Sequence, residues 1–231
     1  MYATSFLENF LGAPKSMEYL ETFRKRFLSH PQSPGYTMLA PEYWNEIETY
    51  LKDIIEPHKD DPRIIAWDIM NEPFAFPSMD HKIILEFLEH MCTFSKQIAG
   101  STPITVGVSS WSHTPKVEKF IDFLTFHIWD LEEYKTVLSE AIKYEKETGK
   151  GVLLTEFGSN FFYKPPSVTD HDQLKFYKKY FPKIVNSGIG WMIWQLTVGC
   201  DAFAHSGLLY ANGHKRPAAD YVLKYLKKIS K

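Results

Sequence analysis

Two glutamates stand where short apolar runs end. One closes the stretch Ile64-Ile65-Ala66-Trp67-Asp68-Ile69-Met70-Asn71-Glu72-Pro73, the other the stretch Gly151-Val152-Leu153-Leu154-Thr155-Glu156-Phe157-Gly158. A carboxylate at the end of a buried strand is costly unless it is paired or opens into a solvated cleft. The proline after Glu72 stops the run and fixes a turn. Taken singly, either residue reads as a loop glutamate that begins a turn. Taken together, they suggest a shared task. Two carboxyl groups about 5–5.5 Å apart across a glycosidic bond are what hydrolysis with retention of configuration requires. The ionised member attacks the anomeric carbon while the protonated one gives its proton to the leaving oxygen. Like charge on the attacker keeps its neighbour protonated. Once the attacker is esterified, the neighbour is free to act as base toward water.

The elements that must position these residues can be read from hydrophobic patterning. From about residue 60 onward, nearly continuous apolar runs occur at Ile64–Met70, Ile104–Ser109, Leu124–Trp129, Val152–Phe157 and Trp191–Leu196. Runs without alternation predict strands buried on both faces. Helical spacing lies between them, at His81–Ala99, Leu131–Glu147 (opening after Asp130 as N-cap), Gln173–Val185 and Pro217–Ile229. Strands alternating with helices predict βα units and a parallel sheet. In a parallel barrel every strand ends on one face, where active sites are built, so glutamates on the first and fourth visible strands can meet across its mouth. Ahead of residue 60, Tyr43–Ile55 is a strong helix, Glu18–Leu28 a weaker one, and His30–Ala40 a loop, with at most a poor strand near Met1–Leu11. No repeat, low-complexity tract or linker appears, so one domain over 1–231 is expected.

These motifs resemble glycoside hydrolase family 5, the cellulases and mannanases of clan A. Trp67-Asp68-Ile69-Met70-Asn71-Glu72-Pro73 is similar to the family's fourth-strand motif and Thr155-Glu156-Phe157-Gly158 to its seventh. The resemblance implies Glu72 as acid/base, Glu156 as nucleophile and Asn71 as a donor to the sugar 2-hydroxyl. Phe126-His127-Ile128-Trp129 falls where the sixth strand usually carries His-x-Tyr: His127 matches, and Trp129 replaces the tyrosine that often hydrogen-bonds the nucleophile. Trp194 matches the eighth-strand tryptophan under the sugar, and the segments Gly207–Tyr210 and Gly213–Pro217 resemble the family's sequence beyond that strand. The resemblance runs from about residue 40 to the C-terminus. It implies an α/β fold of the (β/α)8 TIM-barrel type, incomplete at its N-terminus, with 61–231 as strands four to eight. A barrel spends roughly 30 residues per βα unit, so too few residues precede Ile64 for three such units. The family's arginine and histidine from that region have no assignable counterpart. An open sheet edge is a hazard, so either the chain is a fragment, or its N-terminal segment, residues 1–60, patches the gap, or another chain does by self-association.

Composition narrows the classes further. A net charge of −2 gives no basic field for a nucleic-acid backbone. No apolar run reaches the roughly 20 residues of a membrane span, and Met1 to Gly12 lack the basic start and apolar stretch of a signal peptide. Cys92 and Cys200 read as two buried thiols. No metal-ligand spacing, phosphate loop or GxSxG appears, so neither a catalytic metal nor a cofactor is expected. Trp111, after the second visible strand, is a candidate sugar platform as well as a packing residue. His113 beside it reads more simply as a solvated loop histidine. Asp201 and His205 follow the last strand and read as part of a capped surface loop, with the lining of a subsite as the alternative. Phe161-Phe162-Tyr163 would form a rim or pack beneath their loop, and Asp68 is expected to point into the barrel as a structural residue. The expected function is retaining hydrolysis of a β-1,4-linked glucan or mannan. A non-catalytic glycan-binding relic and a metal-dependent hydrolase are the rivals.

Overall fold

A computed structural model of the chain describes residues 39–74, 80–129, 133–159, 169–197 and 206–230. The segments Met1–Leu11 and Glu18–Leu28, most of His30–Ala40, the cap at Asp130, Phe161-Phe162-Tyr163, Cys200, Asp201 and His205 lie outside the described residues. The chain divides into two compact units, Met1–Ile104 and Thr105–Lys231, with the boundary inside a strand.

In the first unit, Pro41 opens a short 3-10 turn that leads into helix α1, Trp44–Ile55. Proline suits this place because its missing N–H would have no helical partner there. Ile47, Leu51 and Ile55 recur every fourth residue and are buried. They face helix α2, His81–Ile98, whose apolar stripe is Ile84, Phe87, Leu88, Met91 and Cys92. Asp80 caps α2 by accepting from the Lys82 N–H at 2.8 Å. Between the helices, His90 Nε2 lies 2.6 Å from Glu48 Oε1, and the His90 ring lies 4.4 Å from that of Trp44. Cys92 is buried, as expected. Strand β1, Trp67–Asn71, lies between α1 and α2 in sequence, and its Trp67 N–H donates to the Pro103 carbonyl.

The second unit takes up strand β2, Ile104–Val108, at Thr105. It continues with a short helix α3, Thr114–Val117, strand β3, Leu124–Ile128, and helix α4, Glu133–Thr148. Strand β4, Val152–Phe157, helix α5, Asp170–Val185, strand β5, Gly190–Ile193, and helix α6, Pro217–Ile229, complete it. Sheet order follows chain order, and the pairs β2–β3, β3–β4 and β4–β5 are parallel. Strands that alternate with helices in this order form a partial (β/α) barrel. All five expected strands are present, within a few residues of their expected limits.

Burial on both faces holds for the central strands only. Every residue of β2 and β3 is buried. Strand β1 mixes exposed and buried residues, and β5 has none fully buried. Both stand at the ends of the described sheet order, so a neighbour covers one side alone. Asp68, expected to be enclosed, is accordingly exposed. Among the described residues, no helix is long and apolar enough to cross a membrane.

Candidate active site

In β3 the buried side chains alternate. Phe126 turns toward the helices, its ring meeting Trp111 edge-on, while Trp111 in turn packs against Tyr144 of α4. Thr125 and His127 therefore point to the opposite, inner face. On that face the Thr125 hydroxyl donates to the Val106 carbonyl at 2.9 Å, and the Thr105 hydroxyl donates to that of Phe123. These small buried polar groups are satisfied, so they do not carry the desolvation cost of unpaired ones. His127 is 1% exposed, and its Nδ1 stands 3.6 Å from Glu156 Oε2. That separation is a direct electrostatic contact, slightly longer than a hydrogen bond.

The ladder between β3 and β4 shows how Glu156 reaches this face. Leu124, Thr125 and Phe126 pair in step with Val152, Leu153 and Leu154; then His127 pairs with Glu156 and Ile128 with Phe157. Thr155 is the extra residue. The β4–β5 ladder slips at the same place, between Leu154 and Phe157. Phe157 remains on the helix side, against Tyr177 and Phe181 of α5 and Trp191 of β5.

Past the strand ends, two tryptophans stand beside each other. Trp129 and Trp194 meet edge to face, with ring centroids 5.3 Å apart and planes at 89°. The Trp194 N–H donates to the Phe157 carbonyl at 2.9 Å, and the Trp194–Gln195 peptide is cis. Gly158 makes this approach feasible, because a Cβ there would lie 2.1 Å from the Trp194 carbonyl oxygen. Both rings are half-buried, leaving apolar surface in reach of a flat ligand.

In the first unit, Glu72 directly follows β1. It is 2% exposed and has φ 48°, the left-handed region that few non-glycine residues occupy. Such a conformation costs about 1–3 kcal/mol and collects at functional sites. Asn71 beside it is exposed.

The second unit thus brings His127, Glu156, Trp129 and Trp194 together on the inner face or just beyond it. Trp111 is not among them. Its ring packs on Phe126 and Tyr144, on the helix side of β3, so the sugar-platform expectation gives way to packing. His113 closes the short 3-10 turn that Trp111 begins and is half-buried rather than solvated. Tyr144 donates to the Glu118 carboxylate, and partial burial together with that carboxylate pushes its pKa up to about 12.

Three features come into view only in the folded chain. The Thr155 bulge has no signature, because β4 is apolar on both faces. The role of Gly158 is visible only against Trp194. The Asp170 carboxylate accepts from Tyr210 and Arg216, whose guanidinium lies 4.2 Å from the Tyr210 ring centroid, while Gln173 donates to the Gly207 carbonyl at 2.8 Å. These contacts fasten the segment after β5 to α5.

No family model matches the chain. It is 25% identical to mannan endo-1,4-beta-mannosidase 2 of Arabidopsis thaliana over 189 residues, which is 63% of this chain and 43% of that protein. It is 26% identical to mannan endo-1,4-beta-mannosidase 5 of the same plant over 206 residues, 68% of this chain and 47% of that one. The curated relatives are endo-mannosidases. This chain spans somewhat under half the length of each of these two. Among solved structures, a β-D-glucuronidase of Dictyoglomus thermophilum aligns with TM-score 0.64 at 18% identity, over 81% of this chain and 36% of that one. A GH2 β-galacturonidase of Eisenbergiella tayi aligns with TM-score 0.62 at 17% identity, over 83% and 38%. At such identities these structures speak to fold alone, and they agree with the partial (β/α) barrel described above.

Proposed function

We propose that the chain is a retaining β-glycoside hydrolase in which Glu156 is the nucleophile and Glu72 the acid/base. The observation that carries this reading is the inner-face placement of Glu156, held against buried His127 with Trp129 and Trp194 alongside. Glu72 joins it by the matching strand-end motif and by its buried position and left-handed backbone. The Glu156 carboxylate attacks the anomeric carbon as the bond to the leaving oxygen breaks, and Glu72 delivers its proton to that oxygen. Glu72 then takes a proton from water, the water oxygen attacks the same carbon, and the ester to Glu156 is released. Asn71 donates to the sugar 2-hydroxyl, while Trp194 stacks under the ring. A β-1,4-mannan is the favoured substrate because the plant relatives are named for that polymer, with β-1,4-glucan as the alternative.

Reducing ends released from soluble mannans and glucans test the reading directly. Glu156→Gln should lower the rate by at least a thousandfold, on the order of 4 kcal/mol of lost transition-state stabilisation, with Tm retained. Undiminished release in that variant overturns the assignment. The proposed chemistry is metal-free, so a chelator should leave the rate unchanged; loss that zinc restores would favour the metal-dependent reading instead. A second reading, a glycan-binding relic, is favoured by Trp129 standing where the family places a tyrosine. Binding of the polysaccharide without any new reducing ends would support it.

A further inference from the structure

We infer that the one-residue bulge at Thr155 is the positioning device that presents Glu156 to the inner face, so that the phase of position 156 against the neighbouring strands decides whether the nucleophile can react. The inference rests on the reading of Glu156 as nucleophile and adds how it is aimed.

Phase between β3 and β4 sets which face Glu156 occupies. Up to Phe126, β3 and β4 run in step, with Leu124, Phe126, Val152 and Leu154 facing the helices and Thr125 and Leu153 facing inward. Continued without interruption, that step would set Thr155 opposite His127 and Glu156 opposite Ile128. Ile128 is fully buried on the helix side, where a carboxylate would have to displace apolar packing. The observed ladder pairs Glu156 with His127 and returns Phe157 to the helix side. Independent register on the other edge shows the same single insertion, with Leu154 opposite Trp191 and Phe157 opposite Ile193. Burial along β4 agrees. Residues alternate through Leu154, two half-buried residues come next, and Phe157 is buried again. The Thr155 hydroxyl reaches the Phe126 carbonyl at 3.5 Å, a long contact at the point where the ladder is interrupted. A bulge inserts one residue, bends its strand and re-aims the side chain beyond it. Here both neighbours of β4 stay regular and only β4 carries the extra residue.

Thr155 touches no reacting atom in this scheme; it acts through the placement of Glu156. An activated aryl 2-deoxy-2-fluoro-β-mannoside (or the β-glucoside), which leaves its sugar esterified to a retaining nucleophile, serves as the probe. The full-length wild-type chain should be labelled at Glu156, read by peptide mass spectrometry. Absence of that label, together with an active Glu156→Gln variant, would sink the nucleophile reading itself. Two variants then test the bulge. Deleting Thr155 joins Leu154 directly to Glu156, which then falls opposite His127 in an uninterrupted ladder, so this variant should keep the label and hydrolyse the activated glycoside within tenfold of wild type. Exchanging the two residues, Thr155→Glu with Glu156→Thr, keeps chain length and composition. It should fold with an unchanged circular dichroism spectrum and take no label at position 155. Loss of the label from a folded deletion variant, or labelling of the exchange variant at position 155 within threefold of the wild-type rate, overturns the inference. If the deletion variant does not fold, the exchange variant decides alone.

Discussion

Among the described residues Glu72 alone combines a non-glycine side chain with a positive φ, 48°, and it does so at a buried position. An L-residue with a Cβ pays for the left-handed region, and glycine does not. Glu72→Gly should therefore be more stable than Glu72→Ala by about 1 kcal/mol, the reverse of the usual order within regular structure. Chemical denaturation of the two variants measures this, and equal midpoints would show that the position is unstrained. Gly158 makes the opposite case. Its missing Cβ is filled by the Trp194 carbonyl, a backbone atom that cannot turn aside. Gly158→Ala should cost roughly 1–3 kcal/mol and shift the tryptophan emission as Trp194 moves. An unchanged Tm and spectrum would mean that the approach is looser than 2.1 Å implies.

At the scale of elements, α5 begins three residues before the expected Gln173. Thr169 accepts from the Asp172 N–H, and Asp172 accepts from both the Thr169 N–H and its hydroxyl, a reciprocal capping box. The spacing Thr-x-x-Asp is readable in sequence; it was obscured by the polar run that contains it. Thr169→Ala should cost about 1 kcal/mol. The same hydrogen bonds hold the Asp172 carboxyl below its ordinary value of 3.8. A carboxyl whose folded pKa is depressed adds stability above its unfolded value, and that contribution fades as pH falls through the folded one. The Tm gap between wild type and Asp172→Asn should therefore be present near neutrality and close below about pH 4. A gap that persists in acid would assign the effect to packing. Strand limits were readable to within a few residues because apolar runs end at turn formers. The step between β3 and β4 was not, since a strand apolar on both sides fits either register.

Along the described sheet, burial is greatest in β2 and β3, where every residue is buried, and falls away toward β1 and β5. Amide exchange should track that gradient, slowest in peptides from 104–108 and 124–128 and faster in those from 67–71 and 190–193, by at least tenfold. Protection of β5 equal to that of β3 would show that something covers its free side in solution. A second copy is one such cover, which sedimentation detects.

By itself the sequence determined the alternation of strands and helices, the strand-end placement of Glu72 and Glu156, and the resemblance that names their chemistry. These are local properties: hydrophobic period, turn formers and short motifs all act between residues close along the chain. Tertiary structure alone decided that Trp111 packs among the helices, that Thr155 is the residue left over between two ladders, and that Gly158 leaves room for Trp194. Each of those depends on which atoms from distant segments occupy the same space, and pairing of strands distant in sequence settles that only once the sheet has formed.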